Sequence, residues 1–427
     1  MELEAAAHGD SGPGGPSLLY AGLRPRPRGE AVEIRLAQRV GRVRPSPTLA
    51  VTARAAALRA AGRDVIGLGA GEPDFDTPEH IKEAAVRALR EGLTRYTPVD
   101  GLPALKEAVC AKLRRENGLE YAPAEVLVSC GAKHSFYNLA QALLDPGDEV
   151  VIPAPYWVSY PDMVLLAGGE PRIVPAGIEQ GFKLRPEQLE AAIGPRTRMV
   201  VLNSPSNPTG AAYTRAELAA LGEVLLRHPE VVVVSDDIYE HILWAGEPFA
   251  NIVNACPGLK PRTVVINGVS KAYAMTGWRI GYAAGPEPVI AAMRKIQSQS
   301  TSNPTSIAQA AAIAALEGDQ SCVAAMREAF RERHDYVVDR LNAMPGVRCR
   351  PGEGTFYCFP NLSEAIARLD GVADDVALAE WLLERAGVAV VPGSAFGAPG
   401  HVRISFATGM EQLREALDRI ERALAKV

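Results

Sequence analysis

Short apolar runs alternate with helical patterns through the middle of the chain. Seven of these runs predict strands: EVLVS, DEVVIP, PRIVPA, RMVVLN, VVVVSDD, TVVIN and RIGYAAG. Several are continuously apolar, which is typical of strands that are covered on both faces of a parallel sheet. Because helical patterns separate many of them, the sequence predicts an α/β domain with a largely parallel sheet. The last run follows TVVIN closely and is a candidate for one antiparallel strand.

Two helices are predicted ahead of these strands. The first should begin after Thr77, a candidate N-cap that precedes Pro78 and Glu79. Its buried face is predicted to comprise Ile81, Ala84, Ala85, Ala88 and Leu89. The second helix is predicted over about residues 102–117, with Gly118 ending it.

After about residue 319 the pattern changes. A long helix is predicted over about residues 321–343, followed by the strand-like runs TFYCFP, VAVVPG and VRISFAT. A closing helix is predicted over about residues 411–425. This order favours a smaller α+β domain at the end of the chain.

Composition excludes several classes of function. The chain has 427 residues, of which 22% are charged, and its formal net charge is −5. No basic surface is indicated, so neither nucleic acid nor a membrane is an expected partner. No apolar run approaches the ~20 residues that span a bilayer. The six cysteines lack the spacing of a metal site, so we expect no metal and a cytoplasmic protein with reduced thiols.

The first 32 residues differ from the rest. They are rich in Gly, Pro and Ser, and they contain Glu2 and Glu4 but no apolar core of signal-peptide length. We interpret residues 1–32 as a disordered N-terminal extension. An organelle transit peptide is the alternative, and the early acidic residues disfavour it.

Chemically useful side chains follow the predicted strands, where α/β proteins place their sites. SCGAKHS puts Ala132 and Lys133 at a helix start, where backbone N–H groups attract anions. The other loops supply an acid, two amides, two aromatic rings, a lysine and an arginine: Asp236, Asn203, Asn207, Trp157, Tyr239, Lys271 and Arg279. Together these groups meet the requirements of pyridoxal 5′-phosphate. This cofactor needs an amine to react with its aldehyde, an acid beside its pyridinium nitrogen, an aromatic ring to stack on it, and an arginine with a helix start to hold its phosphate.

The chain resembles the fold-type I, class I aminotransferases, and among them the bacterial branch of aspartate and prephenate aminotransferases. The resemblance covers nearly everything from Arg35 to the C-terminus. Nine motifs carry it in the family's order: SPTLAV, GAGEPDFDTPEHI, RYTPVDGLPALKEA, PYWVSYPDM, NSPSNPTG, SDDIYEH, SKAYAMTGWRIGYAAG, QSQSTSNPTSIAQ and HVRISFAT. It implies a large domain over residues 77–320 that binds pyridoxal phosphate on a mainly parallel central sheet. It implies a smaller α+β domain formed by residues 33–76 and 321–427.

The resemblance implies a role for each cofactor-binding residue. Lys271 is the Schiff-base lysine and the proton shuttle, and Asp236 pairs with the pyridinium nitrogen. The other implied contacts are stacking by Trp157, hydrogen bonds to the phenolic oxygen from Asn207 and Tyr239, and phosphate binding by Arg279, Ser270, Ala132 and Lys133. Tyr96 would reach the phosphate of a neighbouring subunit, so a homodimer is expected. The family often has a serine where this chain has Gly268, and Ser270 is the nearby hydroxyl.

The resemblance also implies how substrate is bound. Arg403 would hold the α-carboxylate, while Gly71, Trp157 and Asn207 line the pocket. Thr48 and Lys133 occupy positions that prephenate-using members employ for the distal carboxylate. We also expect a cis bond between Asn207 and Pro208.

The resulting hypothesis is a ping-pong aminotransferase acting on aspartate or glutamate and on 2-oxoglutarate or oxaloacetate, with prephenate as a further acceptor. One alternative is a pyridoxal-phosphate C–S β-lyase, and another is an aminotransferase for aromatic or neutral amino acids. A remote alternative is a non-catalytic regulator that binds the cofactor. Such regulators carry an N-terminal DNA-binding domain, and about 32 low-complexity residues are too few for one.

Overall fold

A computed structural model of the chain describes residues 34–45 and 47–425. The predicted disordered extension, residues 1–32, lies outside the described residues, as does Ser46 of the SPTLAV motif. The chain divides into two units, Met1–Gln38 and Arg39–Val427. In the first unit, the described residues 34–37 have no regular structure, and Ile34 and Leu36 are exposed. All further description concerns the second unit, apart from one helix that begins at Gln38.

The described helices are α1 Gln38–Arg42, α2 Pro47–Ala60, α3 Glu79–Arg90, α4 Pro103–Asn117, α5 Ala132–Leu143, α6 Ser159–Leu166, α7 Pro186–Ala192, α8 Arg215–Leu226, α9 Ile252–Ala255, α10 Glu287–Ser298, α11 Ser306–Glu317, α12 Ser321–Asn342, α13 Ser363–Arg368, α14 Asp375–Arg385 and α15 Met410–Leu424. The long helix α12 and the closing helix α15 match their predicted bounds to within one residue. None of the helices in the described part of the chain combines the length and apolar character that crossing a membrane requires.

The described strands are β1 Ile66–Gly67, β2 Val126–Ser129, β3 Glu149–Ala154, β4 Glu170–Pro175, β5 Thr197–Asn203, β6 Val232–Asp236, β7 Thr263–Gly268, β8 Gly281–Ala284, β9 Tyr357–Cys358, β10 Val388–Ala389, β11 Val391–Pro392 and β12 Val402–Ser405.

All seven predicted central strands form one sheet, in the order β2-β8-β7-β6-β5-β3-β4. The pairs from β4 through β3, β5 and β6 to β7 are parallel. Strand β8 is antiparallel to both of its neighbours, β7 and β2. The predicted mainly parallel sheet with one antiparallel strand is therefore confirmed.

The apolar runs are explained by helices that cover both faces of this sheet. On β6, Val233 belongs to one core cluster and its neighbour Val234 to another, and both are fully buried. Successive side chains on a strand point to opposite faces, so each face needs its own apolar residues. Burying a valine side chain stabilises the fold by about 1.5–3 kcal/mol. The strands thus hold their ends, where the chemistry lies, on a rigid base.

Two smaller sheets lie outside the central one. Strand β1 pairs in parallel with β10, and β12 pairs with β11 and β9. A segment before residue 76 is therefore joined to strands beyond residue 321. This pairing supports the predicted domain boundaries, which stay a prediction.

Two details of helix α3 differ from the prediction. Its N-cap is Pro78, with no side-chain cap, because the Thr77 hydroxyl donates to the Ala274 carbonyl at 2.8 Å and accepts from the Trp278 indole at 3.0 Å. Ile81, Ala84, Ala85 and Ala88 are buried as expected, whereas the Leu89 side chain is 54% exposed. Leu89 lies at the edge of the buried face, where helical spacing alone does not decide exposure.

Candidate active site

A cavity of about 350 Å³ lies where β5, β6 and β7 end. It gathers twelve of the thirteen predicted site residues: Thr48, Gly71, Ala132, Lys133, Trp157, Asn207, Asp236, Tyr239, Ser270, Lys271, Arg279 and Arg403. Carboxyl ends of parallel strands meet at one edge of a sheet, which brings Asn207, Asp236 and Lys271 together, while Thr48, Gly71 and Arg403 come from elements outside that sheet. A single concave site thus holds the lysine, the acid and both arginines.

One end of the cavity is built for an anion. Helix α5 begins at Ala132, directly after Gly131, whose φ of 85° favours glycine. The Arg279 guanidinium donates to the carbonyls of Thr276 at 2.9 Å and Cys130 at 3.2 Å. These bonds fix the cation beside the positive end of a twelve-residue helix. A side chain at Gly131 would collide with this guanidinium.

Close backbone approach explains the glycine at position 268. A Cβ there would lie 2.9 Å from both the Gly281 Cα and the Ile280 carbonyl oxygen. A Cβ at Gly281 would in turn collide with the amide of Ala132. The start of β8 therefore presses against the end of β7 and the helix start. Ser270 is buried and lines the cavity, so it is the hydroxyl that this arrangement leaves available.

Lys271 lies in the loop after β7. Its ammonium donates to the Gly71 carbonyl at 2.6 Å. Burial, and then the nearby charge of Arg403, lower the pKa of Lys271 from its usual value to about 8. An amine with this pKa is far more often neutral at pH 7 than a surface lysine is, and only the neutral amine is nucleophilic.

Asp236 ends β6 and is buried. Burial raises the pKa of its carboxyl to about 6, although hydrogen bonds from Tyr160 and the Ile238 amide, and the charge of Lys271, oppose that rise. The carboxyl is thus a charged acceptor near neutral pH. Its backbone carbonyl accepts from Asn203 at 2.9 Å, which ties the ends of β5 and β6 together.

Arg403 lies on β12 and is 2% exposed. It donates to Asn207 Oδ1 at 3.0 Å and to the Gly69 carbonyl at 2.8 Å, while its buried Nε has no partner among the described residues. The Tyr357 ring lies 4.4 Å from the guanidinium carbon. A donor left over in a buried cation indicates a place for an anionic ligand. The predicted cis bond between Asn207 and Pro208 is confirmed.

Tyr239 and Tyr357 form a pair at the floor of the cavity. Their hydroxyl oxygens lie 3.0 Å apart, and burial raises the pKa of both phenols. Sequence reasoning named Tyr239 and missed Tyr357. The signal was present, since Tyr357 lies in the short run TFYCFP, but nothing in a strand pattern separates a pocket tyrosine from a core one.

The mouth of the cavity is different in character. The Lys133 ammonium lies 5.0 Å from the centre of the Trp157 ring. Burial, and then the charge of Arg279, lower the pKa of Lys133. On helix α2, the Thr48 hydroxyl is buried and has no partner within the described part of the chain. These two groups are available to a ligand.

Tyr96 is the predicted site residue that does not line the cavity. Its side chain is 91% exposed. Tyr96 is predicted to contact the phosphate of a second subunit. A single chain does not test that contact, so this role stays a prediction.

A buried charge network, which the sequence did not reveal, holds the loop after β6. Lys112 on α4 forms a buried ion pair with Glu240, which also accepts from Asn117 and Asn267, at 2.6 Å each. Glu240, Glu116 and His241 together have the spacing of a metal site. The Lys112 ammonium already serves as the cation there, 3.6 Å from the Glu116 carboxylate. The network thereby anchors the loop that carries Tyr239.

Comparison with known proteins gives concordant results. The sequence model described as aminotransferase class I and II matches residues 63–420. The chain is 58% identical to an aspartate/prephenate aminotransferase of Nitrosomonas europaea, over 92% of this chain and 100% of that one. It is 60% identical to a protein of the same name from Cereibacter sphaeroides, over 90% and 98%.

Solved structures agree with the sequences. The aspartate aminotransferase from Rhizobium meliloti is 51% identical, has a TM-score of 0.89 and aligns over 92% of this chain and 99% of its own. A Thermus thermophilus aspartate aminotransferase, described with maleate, is 48% identical with a TM-score of 0.86, over 92% and 100%. The fold-type I architecture expected from the motifs is confirmed by these similarities.

Proposed function

The chain belongs to the family of class I and II aminotransferases, and we propose that it transfers amino groups between dicarboxylic amino acids and 2-oxo acids with pyridoxal 5′-phosphate. One observation carries the proposal. Lys271 and Arg403 are both bound to carbonyls of the same short segment, those of Gly71 and Gly69. The amine of Lys271 thus lies beside a cation that is suited to a carboxylate. This arrangement fits an α-amino acid, whose carboxylate and reacting amino group are attached to the same carbon.

The residues fit the phosphate of this cofactor. Arg279, the amides at the start of α5 and the Ser270 hydroxyl form one anion cradle, and glycines at 131 and 281 keep side chains out of it. Trp157 provides a flat face at the mouth of the cavity. When bound, pyridoxal phosphate supplies an aldehyde for an amine and a ring that withdraws electrons.

Each protein group then has a defined task. With pyridoxal phosphate bound, Lys271 Nζ would be the amine that takes the aldehyde, because its pKa of about 8 gives it a larger neutral fraction near neutral pH than a surface lysine has, and it would later move the proton taken from the substrate Cα. Asp236 would pair as a carboxylate with the ring nitrogen and favour its protonated form. Tyr239 and Asn207 donate to the phenolic oxygen. Arg403 holds the α-carboxylate by a two-pronged contact that fixes the Cα–H bond.

The mouth of the cavity supports dicarboxylic specificity. The Lys133 ammonium and the free Thr48 hydroxyl are suited to a second carboxylate. The Thermus thermophilus relative is described with maleate, a dicarboxylate. We therefore propose aspartate and glutamate as donors, with oxaloacetate and 2-oxoglutarate as acceptors. Prephenate is a further proposed acceptor, since relatives at 58% and 60% identity carry it in their names.

The complete site is proposed to need two subunits. Tyr96 projects into solvent from a single chain, which suits a residue that reaches the phosphate in a partner. The cytoplasmic location expected from the sequence stays a prediction.

The test is product analysis with purified protein. With pyridoxal phosphate present, the 15N of labelled aspartate should appear in glutamate when 2-oxoglutarate is the acceptor. Borohydride reduction followed by peptide mass analysis should locate the cofactor on Lys271. Release of pyruvate and ammonia from cystathionine, without transfer of 15N, would instead assign the β-lyase reaction. Transfer from phenylalanine or alanine in preference to aspartate would assign the neutral or aromatic alternative.

A further inference from the structure

We propose that Tyr160 is a positioning residue, which donates a hydrogen bond to Asp236 Oδ2 and thereby holds that carboxylate charged and aimed at the cofactor ring nitrogen. The proposal rests on the proposed function, because it concerns how Asp236 meets a pyridine. Tyr160 lies on α6, 76 residues before Asp236, and its phenol oxygen is bonded directly to the carboxylate.

The hydrogen bond is the principal one that Asp236 accepts. Among the described residues, the Ile238 amide is the only donor to its other oxygen, Oδ1, at a long 3.3 Å. Tyr160 is 2% exposed and Asp236 6% exposed, so water offers little compensation. A hydrogen bond to a charged acceptor in such surroundings is stronger than one between neutral groups. Removing the phenol would therefore leave one carboxylate oxygen without a donor among the described residues.

The Tyr160 ring itself is held firmly. The Phe136 ring centre lies 4.9 Å away, and the Trp157 ring meets it edge-on at 5.1 Å and 87°. Trp157 is the residue proposed to stack on the cofactor. Tyr160 thus contacts both the stacking ring and the acid, which fixes the direction of the carboxylate relative to the stacked plane. A phenylalanine would preserve this packing and lose only the hydrogen bond.

The surrounding groups determine in which direction the pKa of Asp236 changes when the Tyr160 hydroxyl is lost. Burial raises the pKa of Asp236 to about 6, and the Tyr160 hydrogen bond, the Ile238 amide and Lys271 lower it. Among the described residues, Tyr239 and Asp237 are further titratable groups that face this pair. Burial and Asp236 raise the pKa of Tyr160 well above its ordinary value, so the phenol remains a donor at every working pH. Loss of the donor must make Asp236 more basic, which shifts the shared proton from the ring nitrogen toward the carboxylate.

The test begins with the cofactor-free protein carrying 13C-labelled aspartate carboxyls. The Asp236 signal is identified by its absence in Asp236→Asn. In Tyr160→Phe its titration midpoint should rise by about one unit, equivalent to a tenfold change in proton affinity. Tyr213→Phe is the matched control, since that phenol is also engaged, accepting the Leu184 amide at 2.7 Å, but lies outside this cavity. An Asp236 midpoint unmoved in Tyr160→Phe would overturn the proposal.

The second readout uses pyridoxal phosphate labelled with 15N in the ring. In Tyr160→Phe the nitrogen signal should move toward the value of neutral pyridine, and kcat should fall, by about tenfold where the full one-unit change in pKa is expressed in the transition state, with KM for aspartate nearly unchanged. Should Tyr160→Phe fold poorly, 3-fluorotyrosine at position 160, a stronger donor, should move both signals the opposite way. Lowered stability with both signals unmoved would assign Tyr160 to packing alone. If wild-type protein fails to take up the cofactor while the Asp236 midpoint still shifts, the proposed function fails and the hydrogen bond to Asp236 stands.

Discussion

The floor and the mouth of the cavity are built differently. The floor, comprising Asp236, Asn207, Tyr239, Lys271, Tyr357 and Arg403, is held by hydrogen bonds within the chain. Arg403, for example, bonds both Asn207 and Gly69. The mouth, comprising Thr48, Lys133 and Trp157, has a hydroxyl without a partner among the described residues and an ammonium over an aromatic ring.

This difference separates reaction from specificity. The floor is arranged before any ligand arrives, so little reorganisation is needed when charge develops there. At the mouth, the Thr48 hydroxyl has no partner among the described residues. The flexible Lys133 ammonium can bind carboxylates at different distances better than a rigid arginine fork can. Changes to the floor should therefore affect every substrate equally, whereas changes to the mouth should discriminate among substrates.

Replacing Lys271 should have the largest effect. Lys271→Ala should abolish amino transfer for all substrates, because it removes both the amine that takes the aldehyde and the group that moves the Cα proton. Pyridoxal phosphate should still bind through the anion cradle, as measured by equilibrium dialysis. Lys82→Ala is the control, since Lys82 is an exposed lysine paired with Glu79. Normal turnover in Lys271→Ala would disprove the assignment of the lysine.

Arg403→Lys should have the second-largest effect on amino transfer. The lysine keeps the charge but loses the two-pronged geometry and cannot reproduce both bonds to Asn207 Oδ1 and the Gly69 carbonyl. We expect the activation free energy obtained from kcat/KM to rise by about 3 kcal/mol or more, because each hydrogen bond to a charged group contributes about 1.5–3 kcal/mol. The loss should be the same for aspartate and alanine, since both have an α-carboxylate. A loss confined to aspartate would mean that Arg403 binds the side chain of the substrate and not its α-carboxylate.

What the sequence could predict does not follow this division, since residues of both the floor and the mouth were named from the sequence. The seven central strands and the loop residues Asn207, Asp236 and Lys271 follow from apolar runs and from the strand ends, because a buried parallel sheet imposes both. The roles of Arg403 and Thr48 were expected only from the resemblance to the aminotransferase family. The hydroxyl of Thr77 was predicted to cap α3, yet it bonds Ala274 and Trp278 across the fold. Likewise, buried Lys112 and the pocket tyrosines 160 and 357 depend on partners distant in sequence. Such partners leave no local pattern, and so only the structure reveals them.

Lys133→Ala tests the mouth. Dicarboxylic substrates should lose about 1.5–3 kcal/mol of transition-state binding, the contribution of a hydrogen bond to a charged group. Alanine should be affected much less, and kcat/KM for the two substrates measures the difference. Lys133→Met, which keeps the apolar stem over Trp157, should show the same discrimination. Equal losses for aspartate and alanine would mean that Lys133 serves the cofactor or the fold.

The lowered pKa of Lys271 predicts a pH dependence. The rate at which cofactor-free protein takes up pyridoxal phosphate on Lys271 should rise about tenfold per pH unit below pH 8 and then level off. The sign follows because the neutral amine reacts, and burial lowers the pKa of that amine to about 8. Stopped-flow absorbance would measure it. A rate still rising steeply between pH 9 and pH 10 would indicate a solvated lysine.

Thr48→Val should produce the smallest effect and sharpen the comparison most. Valine matches threonine in shape, so the change removes only a hydroxyl that has no partner in the described part of the chain. Folding stability should therefore hardly change, as thermal unfolding can establish. If that hydroxyl donates to the distal carboxylate, the activation free energy obtained from kcat/KM for aspartate should rise by about 1.5 kcal/mol, the lower end of the contribution of a hydrogen bond to a charged group, while the value for alanine is unaffected. In the double variant Lys133→Ala/Thr48→Val, the loss of transition-state binding should differ from the sum of the losses in the two single variants if both groups bind the same carboxylate. Strict additivity would place the two residues on different parts of the substrate.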